Sequence, residues 1–181
     1  MRTVIATFVV GSLIIGFSSD HGLTVNHRSG SIAVAGPQTV STLPLTVTSF
    51  DYPGAVDTVA YGINDFGDIV GAYTDTSGHD HGFLLSAGNF TTVDDPLGVS
   101  DTSATGINAP GQIAGNYFGS DGVSHGFLLS AGDYITVDVL GGIGTRARGI
   151  NAAGQIVGFY REFPGGPFHG FLATPGAEGK P

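Results

Sequence analysis

The side chains best suited to chemistry recur along this chain. His81, His125 and His169 stand 44 residues apart, and Asp51, Asp94 and Asp138 follow at offsets of 43 and 44. Three equivalent imidazoles around one axis would hold zinc if they converged within about 2 Å of one point. The same residues fit a plainer role, in which each His caps a strand and bonds the Asp of its own unit. A feature present in every unit serves the unit, so the pairs are expected to be structural and no metal is assigned.

What differs between units points elsewhere. Arg146, Arg148 and Arg161 occur in the third unit alone, with Glu162, Phe163 and Phe168 in a Pro/Gly-rich loop. A planar guanidinium forks onto carboxylates, and aromatic rings give flat apolar platforms. These five Arg and Phe residues are the candidate binding set, for a carboxylate-bearing or sugar ligand.

Other constellations carry less. Asp75-Thr76-Ser77-Gly78-His79-Asp80 and Asp121-Gly122 gather oxygen donors but lack the alternating ligands and closing Glu of a calcium loop, so Asx turns are expected. Asp94 and Asp95 are adjacent carboxylates, yet neighbours in an extended segment point to opposite faces. Gly-x-Ser-x-Gly, Ser-x-x-Lys, His-Glu-x-x-His and Gly-Lys-Ser/Thr signatures do not occur. No catalytic residue and no cofactor are assigned.

These residues sit in a repeat. Gly62-Ile63-Asn64 returns as Gly106-Ile107-Asn108 and Gly149-Ile150-Asn151, and His81-Gly82-Phe83-Leu84 returns at His125 and His169. Each unit reads as four short strands: one through Gly-Ile-Asn, a hairpin partner Asp68 to Tyr73, a third over His81 to Ser86, and a fourth over Phe90 to Asp94. The recurring glycines are read as turn residues. Ile69, Gly71 and Tyr73 share one face of their strand and Val70 and Ala72 the other, both uncharged, so stacked sheets are expected to cover both.

Composition agrees with β structure. The 181 residues include 31 Gly and only 6 Lys plus Arg, a balance that suits tight turns and not charged surface helices. With 41% hydrophobic residues a core can form, and a net charge of −9 makes nucleic acid a poor partner. Cysteine is absent, which removes disulfides and thiolate chemistry.

The motif Gly-Ile-Asn-x-x-Gly-x-Ile-x-Gly-x-Tyr followed by His-Gly-Phe-Leu resembles the HAF-type extracellular repeat family, over roughly residues 46 to 176. Each copy here reads His-Gly-Phe where the family has His-Ala-Phe. The resemblance implies export and repeats, and no defined activity.

The organisation that follows is a signal peptide over 1–18, on the apolar run Val4 to Phe17, then a linker or decayed repeat over 19–45. The run is too short to span a membrane. A three-unit domain covers 46–176, in units of about 46–88, 89–132 and 133–176, and 177–181 is a tail. Thr48-Ser49-Phe50-Asp51-Tyr52-Pro53 matches the fourth-strand sequence before Pro96, and the last unit lacks one. A ring closed by lending that strand to the last sheet is therefore expected. The fold class is an all-β, β-propeller-like repeat, with a β-trefoil or three-sided β-prism as alternatives, or two chains in one six-bladed ring.

Function is expected to be a non-catalytic module, secreted or at the cell envelope, that binds a glycan or an envelope protein. A glycan-active enzyme using loop carboxylates and a structural fragment that assembles as a homodimer are the alternatives.

Overall fold

The computed structural model describes residues 8–10, 13–15 and 45–176, in two units, Met1–Thr48 and Ser49–Pro181. In the first, β1 (Phe8–Val10) pairs antiparallel with β2 (Leu13–Ile15), Phe8 opposite Ile15. The rest of the expected leader and of the linker, to residue 44, lies outside the described residues, as does the 177–181 tail.

The second unit is three antiparallel sheets, each one continuous run of chain. Sheet 1 holds β3 (Asp57–Ile63), β4 (Ile69–Thr74), β5 (Asp80–Ser86) and β6 (Asn89–Val93). Sheet 2 holds β7 (Gly98–Ile107), β8 (Ile113–Gly119), β9 (Ser124–Ser130) and β10 (Asp133–Val137). Sheet 3 has β11 (Ile143–Ile150), β12 (Ile156–Arg161) and β13 (His169–Ala173). The described residues are all strand, turn and loop, and the protein is an all-β repeat.

Local chemistry sets this register. Asn64 turns β3 into β4: its Oδ1 accepts from the N–H groups of Phe66 and Asp68, each at 3.0 Å, and Gly67 follows at φ +84°. Asn108 and Asn151 make the same turn with Gly111 and Gly154. Between the third and fourth strands, Ala87-Gly88 and Ala131-Gly132 both take positive φ, the two-residue turn whose twist matches a hairpin.

The reading of the recurring glycines as turn residues needs correction. Gly71, Gly115 and Gly158 lie mid-strand, where a Cβ would run into the carbonyl of Val59, Ser103 or Arg146 and the ring of Phe83, Phe127 or Phe171. The Phe of His-Gly-Phe packs flat on the glycine opposite it, so the two motifs of the repeat are one contact.

Successive sheets stack face to face. The front of sheet 1 offers Val70 and Leu84 to the back of sheet 2, where Ala104, Ile107, Ile113 and Phe127 form one core with Val93. The front of sheet 2 offers Ala114 and Leu128 to Ala147, Ile150 and Ile156 of sheet 3 in a second core. Along the first strands a Cβ on Gly62 would meet the Cα of Gly106 at 3.2 Å, and one on Gly106 the Cα of Gly149 at 3.2 Å. Asn64 Nδ2 donates to the carbonyl of Asn108 at 3.3 Å, and Asn108 Nδ2 to that of Asn151 at 3.0 Å, stitching the three turns together.

Among the described residues the chain does not close on itself as the strand-lending expectation required. Residues 45–50 form no strand and β13 remains an edge. Phe50 instead lies against the rings of Phe83 and Phe90, with centroids 6.4 and 6.2 Å away, and Tyr52 stacks on Tyr73 at 3.6 Å. The aromatic cover that Phe83 needs on the back of sheet 1 holds this segment there, and sheet 2 stands between sheets 1 and 3.

Candidate functional site

The recurring histidines open the third strand of each sheet, directly opposite the tyrosine of the second. His81 lies over Tyr73 at 5.1 Å, His125 over Tyr117 at 5.2 Å, and His169 over Tyr160 at 5.5 Å. Asp94 and Asp138, one residue past the fourth strand, reach back: each Oδ2 stands 2.7 Å from the Nδ1 of His81 or His125, and each Oδ1 accepts the N–H of the next glycine. A second carboxylate faces each Nε2, Asp75 at 3.5 Å from His81 and Asp121 at 3.1 Å from His125.

Electrostatics follow the contacts. The hydrogen bond to Asp94 raises the pKa of His81 above its ordinary value, against its partial burial. At His125 burial opposes the charge, and the bonds to Asp138 and Asp121 outweigh it, so that pKa is raised too. Asp121 is held low by His125, and Asp75 by the backbone N–H of His79 first and by His81 after. As expected of Asx turns, Asp75 Oδ1 accepts from Ser77 N and His79 N at 2.8 and 3.0 Å.

The third pair is not made. His169 and Asp51 have no side-chain hydrogen bond among the described residues, because the segment that carries Asp51 lies at sheet 1. Each histidine belongs to its own sheet, and among the described residues no three His, Asp or Glu side chains are grouped to hold one ion.

The unit-specific residues do come together. On the front of sheet 3, Arg146 sits opposite Phe159, and the Arg148 guanidinium lies 5.2 Å above the Phe159 ring. Arg161 stacks on Phe168 at 3.9 Å, and Phe168 meets Phe159 edge-on at 4.7 Å. Val157 and Leu172, both at least half exposed, fill the same face. The Nε of Arg161 is buried and finds no acceptor, a cost of about 1–3 kcal/mol unless a ligand supplies one. Phe163 stands apart in the β12–β13 loop, 56% exposed.

Two polar hollows lie between sheets. Asp75, Asp80, His81, Asp94 and Asp95 line one of about 210 Å³. Its carboxylates already serve the fold: Asp80 accepts from Thr74, Asp94 holds His81, and Asp95 caps the N–H of Leu97. The other, of about 190 Å³, lies along Ser103, Asn116 and Ser124 with Arg146 at its rim.

Sequence reasoning missed Asp75 and Asp121 as histidine partners because they stand six and four residues before their histidines and break the 44-residue offset. It also missed Phe159, whose signal was available: alternation along β12 puts it beside Arg161. Comparison with family models, curated proteins and solved structures finds no match. No helix among the described residues is long and apolar enough to cross a membrane.

Proposed function

We propose that this chain is an exported, non-catalytic binding module related to HAF-type repeats, and that it binds through the arginine–aromatic front of sheet 3. The observation that carries this is the buried, acceptor-less Nε of Arg161 beside a Phe168 that is 58% exposed. A chain of net charge −9 has set Arg148 and Arg161 on the adjoining Phe159 and Phe168 rings of one face, where they suit a carboxylate-bearing partner. The ligand class is an acidic protein surface, with an acidic glycan as the second reading, favoured by the exposed Phe168 ring as a platform for a sugar.

Thermal shift tests this. Polygalacturonate and an acidic polypeptide are compared with a neutral glucan and with divalent metals at low salt. A ligand at 100-fold its Kd stabilises by about 2.7 kcal/mol, a rise of several degrees for a domain of this size. A shift with the acidic ligands that Arg161→Ala abolishes is the expected result. A shift with metal alone, removed by His125→Ala, overturns it in favour of a histidine site.

A further inference from the structure

Among the described residues of the second unit both ends of the stack are uncovered, and the end surfaces match those buried inside it. On the front of sheet 3, Val157 and Leu172 occupy the positions of Val70 and Leu84 in sheet 1 and of Ala114 and Leu128 in sheet 2. On the back of sheet 1, Ala60, Ile63 and Ile69 occupy the positions of Ala104, Ile107 and Ile113. Ile107 is 7% exposed and Ile63 is 66% exposed, an apolar surface that no sheet among the described residues covers.

Four further details fit that missing sheet. Gly149 repeats Gly62 and Gly106, yet its own Cβ would meet only Val157, at an ordinary 3.5 Å, so nothing among the described residues requires glycine there. Asn151 Nδ2 donates to no carbonyl of a following turn, as Asn64 and Asn108 do. Tyr52 N donates to Thr58 Oγ1 at 3.0 Å just as Val139 N donates to Thr145 Oγ1 at 3.3 Å, which sets the segment before Tyr52 where a preceding sheet would end. Phe50 meets Phe83 and Phe90 as Val93 meets Phe127 and Tyr134. The Ser49–Asp51 segment thus lies where the fourth strand of a preceding sheet would lie, and no described strand pairs with it.

Sheet 3 is a sheet that lacks its fourth strand. We propose that a second copy of this chain docks at the open end, setting the back of its sheet 1 against Val157 and Leu172 and adding its Ser49–Asp51 segment to β13, so that its Asp51 reaches His169. This names the protein partner of the binding face proposed above and rests on that reading. Asp57 repeats Asp101, whose Oδ1 accepts from the N–H of Asp80 at the junction of sheets 1 and 2. Arg161 and Phe168 repeat Thr74 and Ser124 of the fronts, the latter in the place of Asp80. Asp57 of the second copy therefore arrives beside Arg161 and supplies a carboxylate to its Nε. The contact is reciprocal, and two such junctions close a ring of six sheets with no edge left open.

The full chain lacks cysteine, which makes cross-linking a clean test. Light scattering on the native chain should give the mass of two chains, and Val157→Asp, at a position exposed in one copy, should give the mass of one with unchanged far-UV circular dichroism. The double variant Asp51→Cys/His169→Cys places two thiols opposite each other on neighbouring strands, within disulfide reach, and should run as two linked chains without reductant. A native mass of one chain, a mass above two, or an Asp51→Cys/His169→Cys bond within a single chain overturns the proposal. A second copy and polygalacturonate compete for this face, so the polygalacturonate shift of the native chain should shrink as chain concentration rises; if the native chain is a monomer while Arg161-dependent binding of polygalacturonate persists, the ring falls and the binding face stands, and if that binding is also absent, both fall.

Discussion

Gly115 permits a sharp test of why the two motifs of the repeat travel together. Replacing it with Ala puts a methyl group into the carbonyl of Ser103 and the ring of Phe127, which is fully buried. Forcing β7 and β8 apart costs about 2 kcal/mol, within the range for overpacking a tight core. The displaced Phe127 gives up contacts with Val70, Val93 and Tyr134 and adds about 2 kcal/mol more. Gly158→Ala meets the same obstacles, the Arg146 carbonyl and Phe171, but Phe171 lies half-buried on the β13 side of sheet 3 and can swing aside, leaving about 2 kcal/mol. Urea unfolding of both variants, in a Val157→Asp background that keeps the end face open, checks this. With a slope of about 1.5 kcal/mol per molar, the midpoint falls by roughly 2.5 M for Gly115→Ala and roughly half that for Gly158→Ala. Equal losses at the two sites would refute the claim that the buried ring sets the difference.

The histidine pairs predict a stability optimum on the acid side of neutrality. His81 and His125 have raised folded pKa values, so their contribution is complete below the ordinary value of 6.5 and is lost as pH rises through the folded values. Asp75 and Asp121 are depressed, so theirs is present above 3.8 and is lost as pH falls through the folded values. Melting temperature should therefore be higher at pH 5.5 than at pH 8.5, by a small amount because solvent screens these pairs, and the difference should vanish in His81→Gln/His125→Gln. Asn108→Ala removes a buried side chain that bonds Gln112 and the Asn151 carbonyl, and should cost about 2 kcal/mol in chemical denaturation. Asn151→Ala, exposed and bonded within its own turn, should cost less than about 1 kcal/mol.

Much of the fold was legible because the repeat wrote it three times. The strand read over His81 to Ser86 is β5 within one residue, and Asp68 to Tyr73 is β4 within one residue at each end. Sheet 1 runs from Asp57 to Val93, because a two-residue turn binds the fourth strand to the third of the same sheet. Composition showed abundant glycine but not its reasons. Gly67 is a turn residue with positive φ, whereas Gly71 makes room for Phe83, and only the strand register tells the two apart.

The candidate site was half legible for a related reason. Residues that recur revealed their partners by a shared offset, as His81 and Asp94 did, while residues that break the pattern revealed only that they differ. Arg161 was singled out for standing in the third unit alone, and the explanation lies in the position it repeats: Thr74 bonds Asp80 beside the following sheet, and Phe118 stands at the outer end of the next front. A third sheet that no described sheet covers is free to carry charge there, and arginines are a poor surface to leave against water alone when one of them hides its Nε. The repeat thus fixes what the first two sheets must be, and the departures in the last mark the surface on which we propose that another molecule is recognised.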